Sequence, residues 1–141
     1  MATNNIFVNL PVKNLGRTKA FFEALGYSFN PQFTDENAAC LVISDNIYAM
    51  LLMEPFFGTF TQKQIVDAKA NVETLIALSC DSREEVDELM AKAIAAGGKE
   101  PRAAQDQGVM YSRAFDDLDG HTWELVWMDP SFVQSGPGAA Q

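Results

Sequence analysis

Asp117-Leu118-Asp119-Gly120-His121-Thr122-Trp123-Glu124-Leu125 is a turn followed by the start of a strand. Asp, Asp and Gly in close succession favour a reversal, and a strand is expected over His121–Met128, headed by His121. Thr122, Glu124 and Val126 fall on one face of that strand, and Trp123, Leu125 and Trp127 on the other. Upstream, Val109–Phe115 reads as the partner strand of a hairpin, and Lys99–Ala103 as a strand before it. Gly97-Gly98 ends a helix whose apolar stripe is Val86, Leu89, Met90, Ala93 and Ile94. Ser82 and Glu85 form a capping box at its start. Before that lies the strand Thr74–Cys80. Outward from the turn, the second half of the chain is βαβββ.

The first half repeats this order. Ile6, Val8, Leu10 and Val12 share one face of a strand. A helix carries Phe21, Phe22 and Leu25 at helical spacing, and Gly26 is placed to stop it. Strands are then expected near Tyr27–Phe33, Ala38–Ser44 and Ile47–Met53, the last two separated by the turn pair Asp45-Asn46. The fold class is α+β, with residues 1–130 expected to form one domain of two modules, about 5–54 and 72–130. In the linker 55–71, Thr61 and Gln64 offer a second capping box for a short helix. Phe56, Phe57 and Phe60 there are expected to serve packing. The tail, 131–141, is rich in small residues and expected to fray.

Composition removes several function classes. The chain has 141 residues, a net charge of −9 and 48% apolar residues. With no basic cluster, nucleic acid and anionic membrane surfaces are repelled. There is no apolar run of the roughly 18 residues a membrane span needs. The N-terminus lacks the basic start and apolar stretch of a secretory signal, so the expected location is cytoplasmic. Cys40 and Cys80, the two cysteines, sit in apolar runs at a spacing unsuited to zinc or redox pairing, and are expected to be reduced core residues.

Three stretches together resemble the glyoxalase / bleomycin-resistance / extradiol dioxygenase (vicinal oxygen chelate) superfamily. They are Phe7-Val-Asn-Leu-Pro-Val-Lys-Asn-Leu15 with Lys19–Phe22 and Leu25-Gly-Tyr27, then Leu75–Ser79, then Asp117–Leu125. The resemblance implies paired βαβββ modules forming a half-open, cup-shaped sheet, usually completed in a homodimer. It also implies four metal-ligand positions on cup-lining strands, which fall on Phe7, on or near Leu51, on Leu75 and on Glu124. Of these only Glu124 is a ligand type, so no metal site and no cofactor are expected. His121, the one histidine, is three residues from Glu124 on a strand, and the two side chains point to opposite faces.

A carboxylate in an apolar cup needs a partner or a proton. If the hairpin is symmetric about Leu118-Asp119, Asp116 faces His121, Arg113 lies opposite Glu124, and Tyr111 lies beside Val126. Arg113 is then the expected partner of Glu124. The cup wall is expected to include Phe7, Asn9, Leu51, Leu75, Tyr111, Arg113 and Glu124 as ligand-binding residues, while Trp123, Leu125 and Trp127 pack under the helices with Ile76, Leu78 and Cys80. His121 is expected to be structural. The function this supports is binding of a small organic ligand in an apolar cup. The alternative is a metal-dependent lyase of the lactoylglutathione lyase type.

Overall fold

A computed structural model describes residues 2–134. The chain divides into two compact units, one ending at Asn71 and the other beginning at Val72.

In the first unit, β1 (Ile6–Val12) leads to α1 (Leu15–Ala24), followed by β2 (Ser28–Asn30), β3 (Ala38–Val42) and β4 (Ile47–Met53). The sheet order is β1-β4-β3-β2, with β1 and β4 parallel and the other neighbours antiparallel. Asn14 caps α1 by accepting the Arg17 N–H at 3.0 Å. Leu15, Thr18, Phe21 and Phe22 form its buried face. Gly26 ends the helix at φ 103°, and the Gly26 and Tyr27 amides donate to the Glu23 and Phe22 carbonyls. This is a Schellman closure, and its left-handed residue favours glycine.

The second unit repeats the plan. It contains β5 (Leu75–Ser79), α3 (Arg83–Ala95), β6 (Gln105–Asp106), β7 (Met110–Asp116) and β8 (Thr122–Met128), in the sheet order β5-β8-β7-β6. Ser82 accepts the Glu85 N–H at 3.0 Å, and Glu85 Oε1 accepts the Asp81 N–H at 2.7 Å. The reciprocal capping box is therefore present, with its return bond one residue earlier than the simplest form. Gly97, at φ 106°, and Gly98 close α3 by donating to Ile94 and Ala93. The duplication thus extends from element order to the hydrogen bonds that start and stop each helix.

The cores lie under the helices. Val12, Phe21, Phe22, Leu41, Ala49 and Leu51 are buried in the first unit, and Val86, Met90, Phe115, Trp123 and Leu125 in the second. Each large side chain among these contributes roughly 2 kcal/mol through removal from water. Trp127, expected in this core, is only half-buried, and its ring lies 5.1 Å from the Arg83 guanidinium. Both cysteines are buried free thiols, as expected.

Three local expectations are corrected. The strand foreseen at Lys99–Ala103 is an isolated pairing of Lys99 with Asp116, and the edge strand proper is Gln105–Asp106. Pro101 has no N–H to extend a ladder between them. The strand foreseen over Tyr27–Phe33 ends at Asn30, where Pro31–Phe33 form a 3₁₀ turn capped by the Asn30 side chain.

No helix follows Thr61, whose hydroxyl instead accepts the Lys63 N–H in a local turn. Val66 beyond it is exposed, so a capping signal there lacks an apolar stripe to bury. The linker helix is α2 (Glu54–Phe57), before that signal, followed by a 3₁₀ turn at Gly58–Phe60. Phe56 and Phe60 meet edge to face. The segment expected to fray opens within α4 (Pro130–Gln134), and 135–141 lie outside the described residues. Among the described residues no helix is long and apolar enough to cross a membrane.

Candidate functional site

Each sheet has one face under its helix and one face turned away from it. Register decides which side chains occupy the second, open face. In the second unit Glu124 pairs with Ala77 on β5 and with Ala114 on β7, while Ser112 pairs with Val126 and Asp116 with Thr122. Paired residues share a face. The open face therefore carries Leu75, Ala77, Ser79, Ser112, Ala114, Asp116, Thr122, Glu124 and Val126.

This register corrects the expected partner of Glu124. Arg113 lies opposite Leu125 and Tyr111 opposite Trp127, so both are on the helix face. There the Tyr111 hydroxyl donates to Asp87 Oδ1 at 2.6 Å and Arg113 Nη1 to the same oxygen at 2.9 Å. Arg113 Nε and Nη2 reach the Glu100 carboxylate at 3.0 and 3.1 Å. The Tyr111 bond, then Arg113, holds Asp87 below the usual carboxylate range, and the bond to Asp87 raises Tyr111. Arg113 is raised foremost by its bonds to Glu100.

The slip originates in the turn. Asp116 faces Thr122 rather than His121, leaving five residues, Asp117 to His121, in the loop. Asp117 is buried, and its carboxylate organises that loop. Oδ1 accepts the Asp119 and His121 amides, each at 3.0 Å, and Oδ2 accepts Trp123 Nε1 at 3.0 Å. Gly120, at φ 92°, completes the reversal. Burial pushes the Asp117 carboxyl upward, opposed by the nearby His121 charge and these hydrogen bonds. One residue more than a symmetric turn exchanges the two faces of the partner strand. His121, expected to head the strand, instead belongs to this turn.

Glu124 does have a cationic partner, and it is Arg102. Arg102 Nη2 lies 3.3 Å from Glu124 Oε2 and donates to Ser112 Oγ at 3.0 Å, while Nη1 donates to the Ala103 carbonyl at 3.1 Å. The side chains of Arg102 and Glu124 are 27% and 24% exposed, so solvent reaches a pair that the sheet holds in place. Nearby, Thr122 Oγ1 donates to Asp116 Oδ1 at 2.6 Å. Arg102 precedes the short edge strand, in a stretch without periodic pattern. Sequence reasoning had no phase with which to find it.

The first unit's open face differs. Phe7 and Leu75 each stand seven residues before their helix caps, Asn14 and Ser82. Asn9 pairs with Met50 as Ala77 pairs with Glu124. Met50, next to Leu51, is therefore the counterpart of Glu124, and the expected place of Leu51 on the cup wall is corrected. Leu51 pairs with Leu10, is fully buried and belongs to the core against α1. Phe7 is 52% exposed and stacks on Tyr48, with ring centroids 4.9 Å apart and planes 11° from parallel. Asn9 is exposed and donates to the Phe7 carbonyl at 3.2 Å. Leu75 is 55% exposed.

In the first unit Phe7 and Met50 offer no carboxylate or imidazole, and in the second Leu75 and Glu124 offer one carboxylate, which a guanidinium already engages. Neither pair fits a catalytic zinc, nickel or iron ion, which needs about three donors. Among the described residues, no group of three or more His, Cys, Asp and Glu side chains could hold a metal ion.

Residues 5–44 match the family pattern described as bleomycin resistance protein-like N-terminal. A hypothetical protein from S. aureus superposes with a TM-score of 0.75 at 28% identity, covering 87% of this chain and 92% of that one. A glyoxalase/bleomycin resistance protein/dioxygenase family enzyme from Burkholderia phytofirmans PsJN gives 0.71 at 16% identity, over 86% and 96%. A bleomycin resistance determinant encoded on transposon Tn5 gives 0.63 at 21% identity, over 89% and 98%. The last two likenesses speak to fold. No curated protein sequence matches the chain significantly. The chain thus has the fold of glyoxalase/bleomycin-resistance/dioxygenase proteins, and its N-terminal residues match a bleomycin resistance protein-like pattern.

Proposed function

We propose that this protein binds a small, partly apolar organic molecule on an open sheet face, without a transition metal of its own. The supporting observation is Glu124 engaged by Arg102, which also donates to Ser112, on a face that carries Leu75, Ala77, Ser79 and Val126. Apolar surface reached by solvent and punctuated by a few fixed polar groups is the usual chemistry of a small-ligand site. Glu124, Leu75 and Arg102 serve this role on the second sheet. Phe7 and Asn9 serve it on the first, where the Phe7–Tyr48 stack offers a flat apolar surface.

The alternative, a metal-dependent lyase of the lactoylglutathione lyase type, requires Glu124 to exchange Arg102 for an ion. The test is metal analysis of protein purified without a histidine tag, with a thermal-shift screen against aromatic antibiotics and glyoxal-derived thioesters. A rise in melting temperature with an aromatic compound, in protein free of stoichiometric metal, is expected. Stoichiometric nickel or zinc accompanied by hemithioacetal turnover overturns the proposal.

A further inference from the structure

Resting on that reading, the Arg102–Glu124 pair goes further and defines a ligand class. Arg102 has five N–H hydrogens. Its bonds to Ala103, Ser112 and Glu124 engage one on Nη1 and both on Nη2. Among the described residues, one Nη1 hydrogen and the Nε hydrogen have no acceptor. Glu124 uses Oε2 toward Arg102, and Oε1 accepts no hydrogen bond among the described residues. Unused donors and an unused acceptor thus belong to two side chains in direct contact, each about one-quarter exposed.

The charge balance matters as much as the hydrogen bonds. The Arg102–Glu124 pair is neutral in itself, and the Asp116 carboxylate on the same face is engaged by the Thr122 hydroxyl. A ligand carboxylate meeting Arg102 also meets Glu124, and a ligand ammonium meeting Glu124 also meets Arg102. Either charged ligand gains one attraction and suffers one repulsion, after losing its hydration. The overall charge of −9 disfavours anions further. A group carrying an N–H and a C=O side by side suffers neither repulsion, and can satisfy both partners at once. Around the pair, Leu75, Ala77 and Val126 suit an apolar body.

We infer that the open face of the second sheet selects an uncharged carboxamide or lactam carried on an apolar scaffold, its N–H donating to Glu124 and its carbonyl oxygen accepting from Arg102. The test uses four matched probes: 2-naphthamide, 2-naphthoate, 2-naphthylmethylamine and 2-methylnaphthalene. Each is titrated into the full chain, following the backbone amide resonances of Ala77, Ser112 and Glu124. The amide should bind about tenfold more tightly than the other three, because a site built to pair both groups discriminates against ligands that leave one unpaired. Glu124→Gln should shift the preference to naphthoate, and Arg102→Met to the amine.

The wild-type series decides the matter even if a variant folds poorly. Equal affinity for all four probes overturns the amide inference while leaving a small apolar guest acceptable. Tightest binding of either charged probe to wild-type protein also overturns it. Binding of none overturns it whatever the wider thermal-shift screen finds.

Discussion

The two modules share a backbone plan down to the bonds that begin and end their helices, yet present opposite chemistry at matched positions. Where the first places Met50 beside Asn9, the second places Glu124 beside Ala77. Where the first exposes a Phe7–Tyr48 stack, the second exposes Leu75 beside Thr122. Caps, left-handed glycines and buried helix faces are dictated by packing and backbone satisfaction, and they recur. The open faces carry no such obligation, so their side chains are free to differ. Function should therefore be sought in what the halves do not share.

The turns joining the last two strands of each half give the sharpest contrast. Asp117 is buried, with three N–H donors on its carboxylate, whereas Asp45 in the corresponding turn is exposed. Asp117→Ala strips the loop of its acceptor and removes the carboxylate that the buried Trp123 N–H donates to. A loss of about 3 kcal/mol in urea unfolding is expected. Asp45→Ala should fall within about 0.5 kcal/mol of wild type. Equal effects at the two sites would break the comparison.

The helix-ending glycines should behave more alike. Gly26 and Gly97 both have φ above 100°, so alanine at either should cost about 1–2 kcal/mol by the same measurement. The difference lies in space. Nothing lies within 4 Å of a Cβ at Gly26, whereas at Gly97 it would meet Leu118 Cδ2 at 3.2 Å. Gly97→Ala should be the more damaging, and Leu118→Ala should remove that excess.

The smallest effect concerns the Arg83–Asp106 fork of the second module, with two bonds of 2.8 Å. The Arg83 bonds, helped by the Gly108 amide, hold the Asp106 carboxyl down at about 2. Its folded value is lower than an unfolded value of about 3.9, so its stabilisation is present above that range and lost as pH falls toward 2. The melting-temperature difference between wild type and Asp106→Asn should therefore be present at pH 6 and shrink as pH approaches 2. A difference that grows on acidification would contradict the assigned sign.

Much of this fold is legible in the sequence. Ile47–Met53 follows from alternation, the Ser82–Glu85 box from its spacing, and the helix stops from Gly26 and Gly97. The register of the final hairpin was not legible. It depends on whether Asp117 ends β7 or folds into the turn, and that choice is made by Trp123 Nε1, six residues away. From it followed the misplacement of Arg113 and Tyr111. Leu51 was misplaced because β4 is apolar on both faces, which hides its phase. Arg102 was missed because an irregular segment after Pro101 has no period from which to read a direction.

Both tryptophans belong to the second module, Trp123 sealed against Phe115 and Trp127 half-buried beside Arg83. Intrinsic fluorescence is consequently a local reporter, while far-ultraviolet circular dichroism senses helices and strands of both halves. Coincident denaturation curves from the two signals would mark a single cooperative transition, and separated curves would mean that one half melts without the other.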